Sequence, residues 1–257
     1  IPANIQSAFI NPLKLKSFTP SKKYSSNKLL DKKIQNIAKK IFQSKKPLLH
    51  FGQGARISKS ENLIKRFIEK YKMPFSLTWN ATDLISSSNK YYVGRPGAYA
   101  ERGSNFIVQN CDLFISVGSR LPFMVTGYNS FDFARKAFKV TVDIDSNETN
   151  KKSINFDCRI TCDAHYFIET LNKYLKNYKS NNLNWIEYCK NIRKQHPIVL
   201  KKFIDQKTYV NSYYFVKCLS EASSKNETIV TDMGLSFVGT HQAFDIKYNQ
   251  KLFTNSG

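Results

Sequence analysis

No run of about eighteen apolar residues occurs in this sequence, so no membrane-spanning helix is expected. No GxSxG, HExxH, Walker-type or CxxC motif occurs either. That removes the self-contained hydrolase, zinc-protease, P-loop and thioredoxin-type sites those patterns signal. Histidine is scarce, and His50, His165, His196 and His241 form no spacing cluster from which a catalytic triad can be argued. The five cysteines, Cys111, Cys158, Cys162, Cys189 and Cys218, are odd in number and irregularly spaced. This excludes a disulfide scaffold and fits a reducing compartment, the cytoplasm. The opening Ile-Pro-Ala-Asn-Ile-Gln has no initiator methionine and no basic-then-apolar signal pattern. It reads as the start of a fragment or of a processed product.

Acidic residues are few as well: 19 Asp and Glu stand against 40 Lys and Arg, a formal net charge of +21. Such a balance invites a nucleic-acid reading. The distribution weighs against it. Residues 1–50 hold eleven Lys and one acidic residue, Asp31, whereas residues 91–170 are balanced at nine basic and nine acidic. The excess therefore lies on flanks and helix surfaces, with no nucleic-acid motif beside it, and no nucleic-acid partner is expected. Cys158, Cys162 and His165 have a loosely metal-like spacing, yet Cys158, Ile160 and Cys162 alternate along an expected strand and would share one face. A core face accounts for them better than a metal site.

What is present is a chain of 257 residues, 41% hydrophobic, long enough for one large or two modest domains. Residues 1–30, with Pro2, Pro12 and Pro20, show no sustained periodicity and read as an extended linker. Ile34, Ile37, Ala38, Ile41 and Phe42 give helical spacing, and Leu63, Ile64, Phe67, Ile68 and Tyr71 a second helix. Strands are expected at 47–51, 74–78, 113–117, 138–144 and 159–161. Helices are expected at 105–110, near 131–137, and over 167–175. This β-α alternation predicts an α/β fold, a parallel sheet flanked by helices on both faces. A linker follows over 177–195, already carrying helical spacing at Trp185, Tyr188, Cys189 and Ile192. A further helix at 213–219 and strands at 228–231 and 251–257 begin a second α/β unit, truncated at Gly257.

The candidate site residues sit where strands end. Gly52 and Gly54 mark a strand-to-helix turn; they allow either close approach of an anionic ligand or simply close packing. The third glycine of a dinucleotide fingerprint is missing, since position 57 is Ile57. Arg120 follows Leu113–Val117 and suits a phosphate or a salt bridge. Asp143 and Asp145 end the next strand, where carboxylates accept ribose hydroxyls or cap the following helix. Glu148 stands three residues beyond Asp145, in the register of a capping box.

Taken in order, these segments resemble thiamine-diphosphate enzymes of the acetolactate synthase (acetohydroxyacid synthase) large-subunit type. Ile1-Pro-Ala-Asn-Ile-Gln6 is similar to the family's IPxDVQ, and Phe51-Gly-Gln-Gly-Ala55 to the first glycine turn of its central domain. Gly94-Arg-Pro-Gly-Ala-Tyr-Ala-Glu-Arg-Gly-Ser-Asn105 resembles GxxGxxxAxxAN. Cys111–Leu121, Val125-Thr-Gly127 and Val142-Asp-Ile-Asp-Ser-Asn-Glu148 resemble sDlllxxGxRf, VTG and iDIDxxE, and Asp163 the following GD. Ile229-Val-Thr-Asp-Met-Gly234 resembles the opening of the diphosphate-binding domain.

The resemblance implies a Rossmann-like central domain at 31–176, preceded at 1–30 by the tail of a pyrimidine-binding domain and a linker. A linker at 177–195 and the start of a diphosphate-binding domain at 196–257 follow. It implies thiamine diphosphate and Mg2+ as cofactors and a 2-oxo acid as substrate. Carbon dioxide leaves, and the remaining fragment is joined to a second carbonyl. The family's activating glutamate and its metal-binding GDG motif belong to segments this chain does not contain, so the isolated fragment is expected to be inactive. Gly52, Gly54, Arg120, Asp143, Ile144, Glu148 and Asp163 map onto flavin-binding positions, whereas Pro122-Phe-Met124 replaces the family's Asp-Asp-Arg and Cys162 a glycine; FAD, an ADP-like ligand or neither all remain open. Met233, Gly234, Leu235 and Ser236 map beside the diphosphate, with Leu235-Ser236 where synthases have Gln-His. A homodimer or homotetramer is implied for the full-length protein. A non-catalytic nucleotide-binding module is the alternative.

Overall fold

The computed structural model describes residues 2–17 and 27–254. Five strands form one sheet: β1 (Pro47–Phe51), β2 (Phe75–Leu77), β3 (Leu113–Val117), β4 (Phe138–Asp143) and β5 (Cys158–Thr161). Their order is β2-β1-β3-β4-β5 and every pairing is parallel. Parallel strands need crossovers that lay helices on the faces, so both faces are buried and the strands read as near-continuous apolar runs. Pleating then sorts the side chains. Leu49, Phe51, Ile115 and Val117 join one core with the helices Lys28–Gln43, Glu61–Tyr71 and Ala164–Tyr174. Leu48 and Phe114 join the other core with Ile107 and Val108 of the helix Arg102–Asn110.

β6 (Thr228–Thr231) and β7 (Lys251–Thr254) pair in parallel as a separate two-stranded sheet. The helices Ser212–Ala222 and Leu235–Ala243 accompany them around a small core of Val216, Phe244, Ile246 and Leu252.

Two expectations change. The helix expected near 131–137 is a 3-10 turn, Ser130–Asp132, followed by irregular chain, with a four-residue helix at Phe123–Thr126. Phe133 and Ala134 are buried side by side, with Ala134 at φ +46°, a geometry no α-helix contains. Within 177–195, where the spacing of Trp185, Tyr188, Cys189 and Ile192 predicts a helix, the chain forms the helix Leu183–Gln195. Its Trp185 and Cys189 are buried in the second core, and Trp185 Nε1 donates to the Pro47 carbonyl at 3.0 Å. The N-terminal segment is not wholly extended: Ala3–Gln6 is a helical turn and Pro12–Lys14 a 3-10 turn, all of it exposed. Ile1 of the opening motif, residues 18–26 of the expected linker and Asn255-Ser-Gly257 lie outside the described residues.

Candidate functional site

In an open parallel sheet the ligand crevice lies beyond the carboxyl ends of the strands where the order reverses, here between β1 and β3. The loops leaving these strands touch backbone to backbone. Gly52 N donates to the Val117 carbonyl at 3.0 Å and Gly54 N to the Gly118 carbonyl at 2.9 Å. A Cβ on Gly52 would stand 2.2 Å from Ser119 Cα, and one on Gly54 2.8 Å from Gly118 Cα. The two predicted glycines therefore serve close packing of loop on loop. Gln53, between them, starts the helix Gln53–Ile57, and its Oε1 is buried without a hydrogen-bond partner. Sequence reasoning passed over Gln53 because the glycines around it carried the motif.

Arg120 and Leu121 follow at φ +56° and +43°, a costly conformation for non-glycine residues. It turns the Arg120 side chain outward, 74% exposed, with Nε and a terminal guanidinium nitrogen each 2.7 Å from Glu148 Oε1. That contact raises the guanidinium's pKa further. Lys151 Nζ lies 3.4 Å from Glu148 Oε2 and also donates to the Arg120 and Leu121 carbonyls. Arg120 and Glu148, 28 residues apart, are thus brought together as an ion pair.

The strand-end carboxylates act mainly as caps. Asp143 Oδ1 accepts from Asp145 N at 3.1 Å, and Asp145 Oδ1 accepts from Asn147 N at 2.8 Å, opening the helix Ser146–Asn150. The capping box is only half built: Asp143, not Glu148, takes the Asp145 amide, because Glu148 is held by Arg120 and Lys151. Ile144, between Asp143 and Asp145 in sequence, is exposed. Asp163 Oδ1 accepts from His165 N at 2.8 Å and Tyr166 N at 3.2 Å, capping Ala164–Tyr174.

Cys158 and Cys162 pack with Ile160 in the core, while His165 is exposed, so the three do not converge. Burial pushes the Cys162 thiol up to about 12 and raises Cys158. Among the described residues no group of three or more His, Cys, Asp or Glu is placed to hold a metal ion.

The remaining predicted residues lie on the second sheet's side. Gly234, at φ +72°, precedes the nine-residue helix Leu235–Ala243, and a Cβ there would meet nothing within 4 Å. Met233 and Leu235 are exposed. Ser236 Oγ donates back to the Met233 carbonyl at 2.7 Å and the Asp232 carbonyl at 3.1 Å, fixing the turn. The result is an open glycine turn at a helix N-terminus, where first-turn amides have no intrahelical acceptor. It is remote in sequence from the β1–β3 crevice.

The sequence of this chain is matched by known proteins. Residues 34–171 match the family model described as thiamine pyrophosphate enzyme, central domain. The chain is 33% identical over 178 residues to the acetolactate synthase large subunit of Porphyra purpurea, covering 68% of this chain and 30% of that protein. It is 26% identical over 226 residues to acetolactate synthase isozyme 2 large subunit of Escherichia coli (strain K12), covering 80% and 40%. It is 25% identical to acetolactate synthase 1, chloroplastic, of Nicotiana tabacum, covering 100% of this chain and 38% of that one. The chain spans about a third of the length of these curated relatives. No helix among the described residues is long and apolar enough to cross a membrane. The match takes in every strand of the parallel sheet together with Gly52, Arg120, Asp143 and Asp163, and the chain therefore belongs to the thiamine pyrophosphate enzymes, as a bearer of their central domain.

Proposed function

We propose that this chain is part of a thiamine-diphosphate-dependent enzyme of the acetolactate synthase type, acting on a 2-oxo acid. The observation that carries the proposal is the Gly234 turn, an open anion-receiving helix start reached in family order after a matched central domain. Thiamine diphosphate, when bound, supplies the carbanion chemistry that takes carbon dioxide from a 2-oxo acid and transfers the remaining acyl unit to a second carbonyl. This chain's part is to hold it. Gly234 and the first-turn amides of Leu235 and Ser236 would receive its diphosphate, and the Ser236 hydroxyl keeps the turn in shape. Met233 and Leu235 offer apolar surface beside it. Mg2+ would be held by residues beyond this chain.

In this reading 31–176 is the central domain, 196–257 opens the diphosphate-binding domain, 1–30 belongs to the preceding one, and 177–195 joins the two as a packed helix. The β1–β3 end takes an adenine-nucleotide-type ligand, FAD or an ADP-like molecule. The unpartnered Gln53 Oε1 fits a ligand there, and Arg120 and Glu148 stand at its rim. The five free cysteines support a cytoplasmic location, and the family's shared active sites support a homodimer or homotetramer.

The test is turnover by the protein expressed from its whole reading frame, supplied with thiamine diphosphate, Mg2+ and pyruvate. Carbon dioxide release with a carbon–carbon-bonded product is expected, and Gly234→Val weakens cofactor affinity about tenfold or more by filling the cradle. No release with any 2-oxo acid by protein that binds the cofactor would falsify the reading. Adenine nucleotide or flavin recovered from heat-denatured protein that shows no turnover would point to a nucleotide-binding module instead. The 257-residue polypeptide alone is expected to give no turnover.

A further inference from the structure

Arg95 lies in the polar stretch between β2 and the helix Arg102–Asn110, yet it is only 2% exposed. One guanidinium nitrogen is 3.2 Å from Glu101 Oε1 and 3.3 Å from the Gln242 carbonyl; the other is 3.4 Å from Thr82 Oγ1. Its Nε is buried without a partner. Glu101, itself 5% exposed, receives a second guanidinium on Oε2, that of Arg193 at 3.3 Å. Two guanidiniums thus share one carboxylate, with Arg95 and Glu101 buried and Arg193 partly exposed. Removing charge from water without compensation is costly, and leaving a buried N–H unpaired adds to the cost.

The array lines a cavity of about 390 Å³ between the central sheet unit and the second unit. Asp245, also in the lining and near enough to act on Arg95, is taken by Lys217 at 2.6 Å, so both lining carboxylates are paired with cations. Lys194 adds a further positive charge, and Pro197, Ile198 and Val199 form an apolar wall. The volume falls within the range of small-molecule sites and exceeds what a bare phosphate fills. We propose that this cavity binds a small organic anion whose carboxylate or phosphate group docks on Arg95 and Arg193 and whose carbon skeleton lies against Pro197–Val199. Guanidinium forks match either oxyanion. Such a ligand bridges the two units, since Arg95 also grips the last turn of the helix that begins after Gly234.

Two probes test this in the protein expressed from its whole reading frame, without thiamine diphosphate, so the outcome is independent of turnover. Inorganic phosphate and malonate are titrated calorimetrically, with potassium chloride holding ionic strength constant. Saturable binding of at least one is expected, weakened about tenfold or more by Arg193→Gln and unchanged by Lys152→Gln on the exposed surface. The tighter probe assigns the ligand as phosphorylated or carboxylated. If Arg193→Gln does not fold, Arg193→Lys, which keeps the charge and loses the fork, is expected to weaken binding in its place. Absence of binding by both probes at about 10 mM, or equal affinity in the folded Arg193 variants, overturns the proposal.

Discussion

A methyl group on Gly52 would sit 2.2 Å from the Cα of Ser119 and 2.4 Å from the Gly118 carbonyl oxygen, and neither is a flexible side-chain end. The backbone there is extended, φ −111°, so conformational strain plays no part; the obstacle is contact alone. Gly52→Ala is expected to cost about 3 kcal/mol or more, because two strand-end loops must separate. Gly239 gives the opposite sign. It lies inside the helix Leu235–Ala243, and its added Cβ meets only Val216 Cγ2 at 3.9 Å. Gly239→Ala should stabilise by about 0.5–1 kcal/mol through helix propensity. Urea unfolding of the two variants checks both signs. His50 carries a pH effect. Its Nδ1 meets Ser76 Oγ at 2.8 Å, its ring stacks on Phe114, and its Nε2 is buried without a partner. Burial pushes this imidazole down to about 3. Between pH 6.5 and 3 the unfolded chain therefore takes a proton that the folded chain refuses. Stability from this source is intact above pH 6.5 and falls by about 1.4 kcal/mol per pH unit below it. His241, pushed down to about 4 by burial and then by Arg95, acts in the same direction. In His50→Gln, the slope of unfolding free energy between pH 6 and 4.5 should drop by about one proton; an unchanged slope would show that His50 titrates normally.

The helix Ala164–Tyr174 shows what a strand-end carboxylate does at the scale of an element. Asp163 accepts from two first-turn amides, so Asp163→Ala leaves both without an acceptor and should cost about 1–2 kcal/mol. Asp163→Asn should recover most of it. Thermal unfolding of ligand-free protein is the measurement, and a loss seen only with flavin present would assign Asp163 to ligand binding instead. The five parallel strands were legible because burial on both faces makes each an apolar run, as in Leu113–Val117. The crossover to β4 was not. Phe131, Phe133, Ala134 and Ala137 mimic helical apolar content, but Gly127 at φ +80° and Ala134 at φ +46° bend the chain into turns. The Asp145–Glu148 spacing also misled, since a capping box needs the glutamate free and Arg120, 28 residues away, takes it.

At the scale of the whole molecule, the second unit is held to the first by contacts that no local pattern announces. The Ser87 amide donates to the Ile246 carbonyl at 2.8 Å, across 159 residues. Trp79 packs edge-on against Phe237 with ring centroids 4.8 Å apart, and Gln242 Nε2 donates to the Ala100 carbonyl. Legibility ended here because loop-to-unit docking depends on side chains that meet only once both units exist. Asp83 is the most consequential of these residues. Its carboxylate, buried, pairs with Arg56 on one oxygen and accepts from Leu252 N in β7 at 3.1 Å on the other, across 169 residues. Asp83→Ala removes the acceptor of a β7 amide and strands a mostly buried guanidinium whose Nε already lacks a partner. Breaking a buried pair from one side costs about 3–5 kcal/mol. Asp83→Asn keeps an acceptor for Leu252 N while losing the charge, and should fall between the variant and the parent. Because β6 and β7 bury only Thr231 and Leu252, with Ile229 partly covered, the loss should concentrate in that unit. Hydrogen exchange read by mass spectrometry should then quicken at Lys251–Thr254 and Leu235–Ala243 in Asp83→Ala, while amides of β1, β3 and β4 keep their protection. Equal acceleration throughout both sheets would mean that the two units unfold as one, and that Asp83 stabilises the whole rather than the joint.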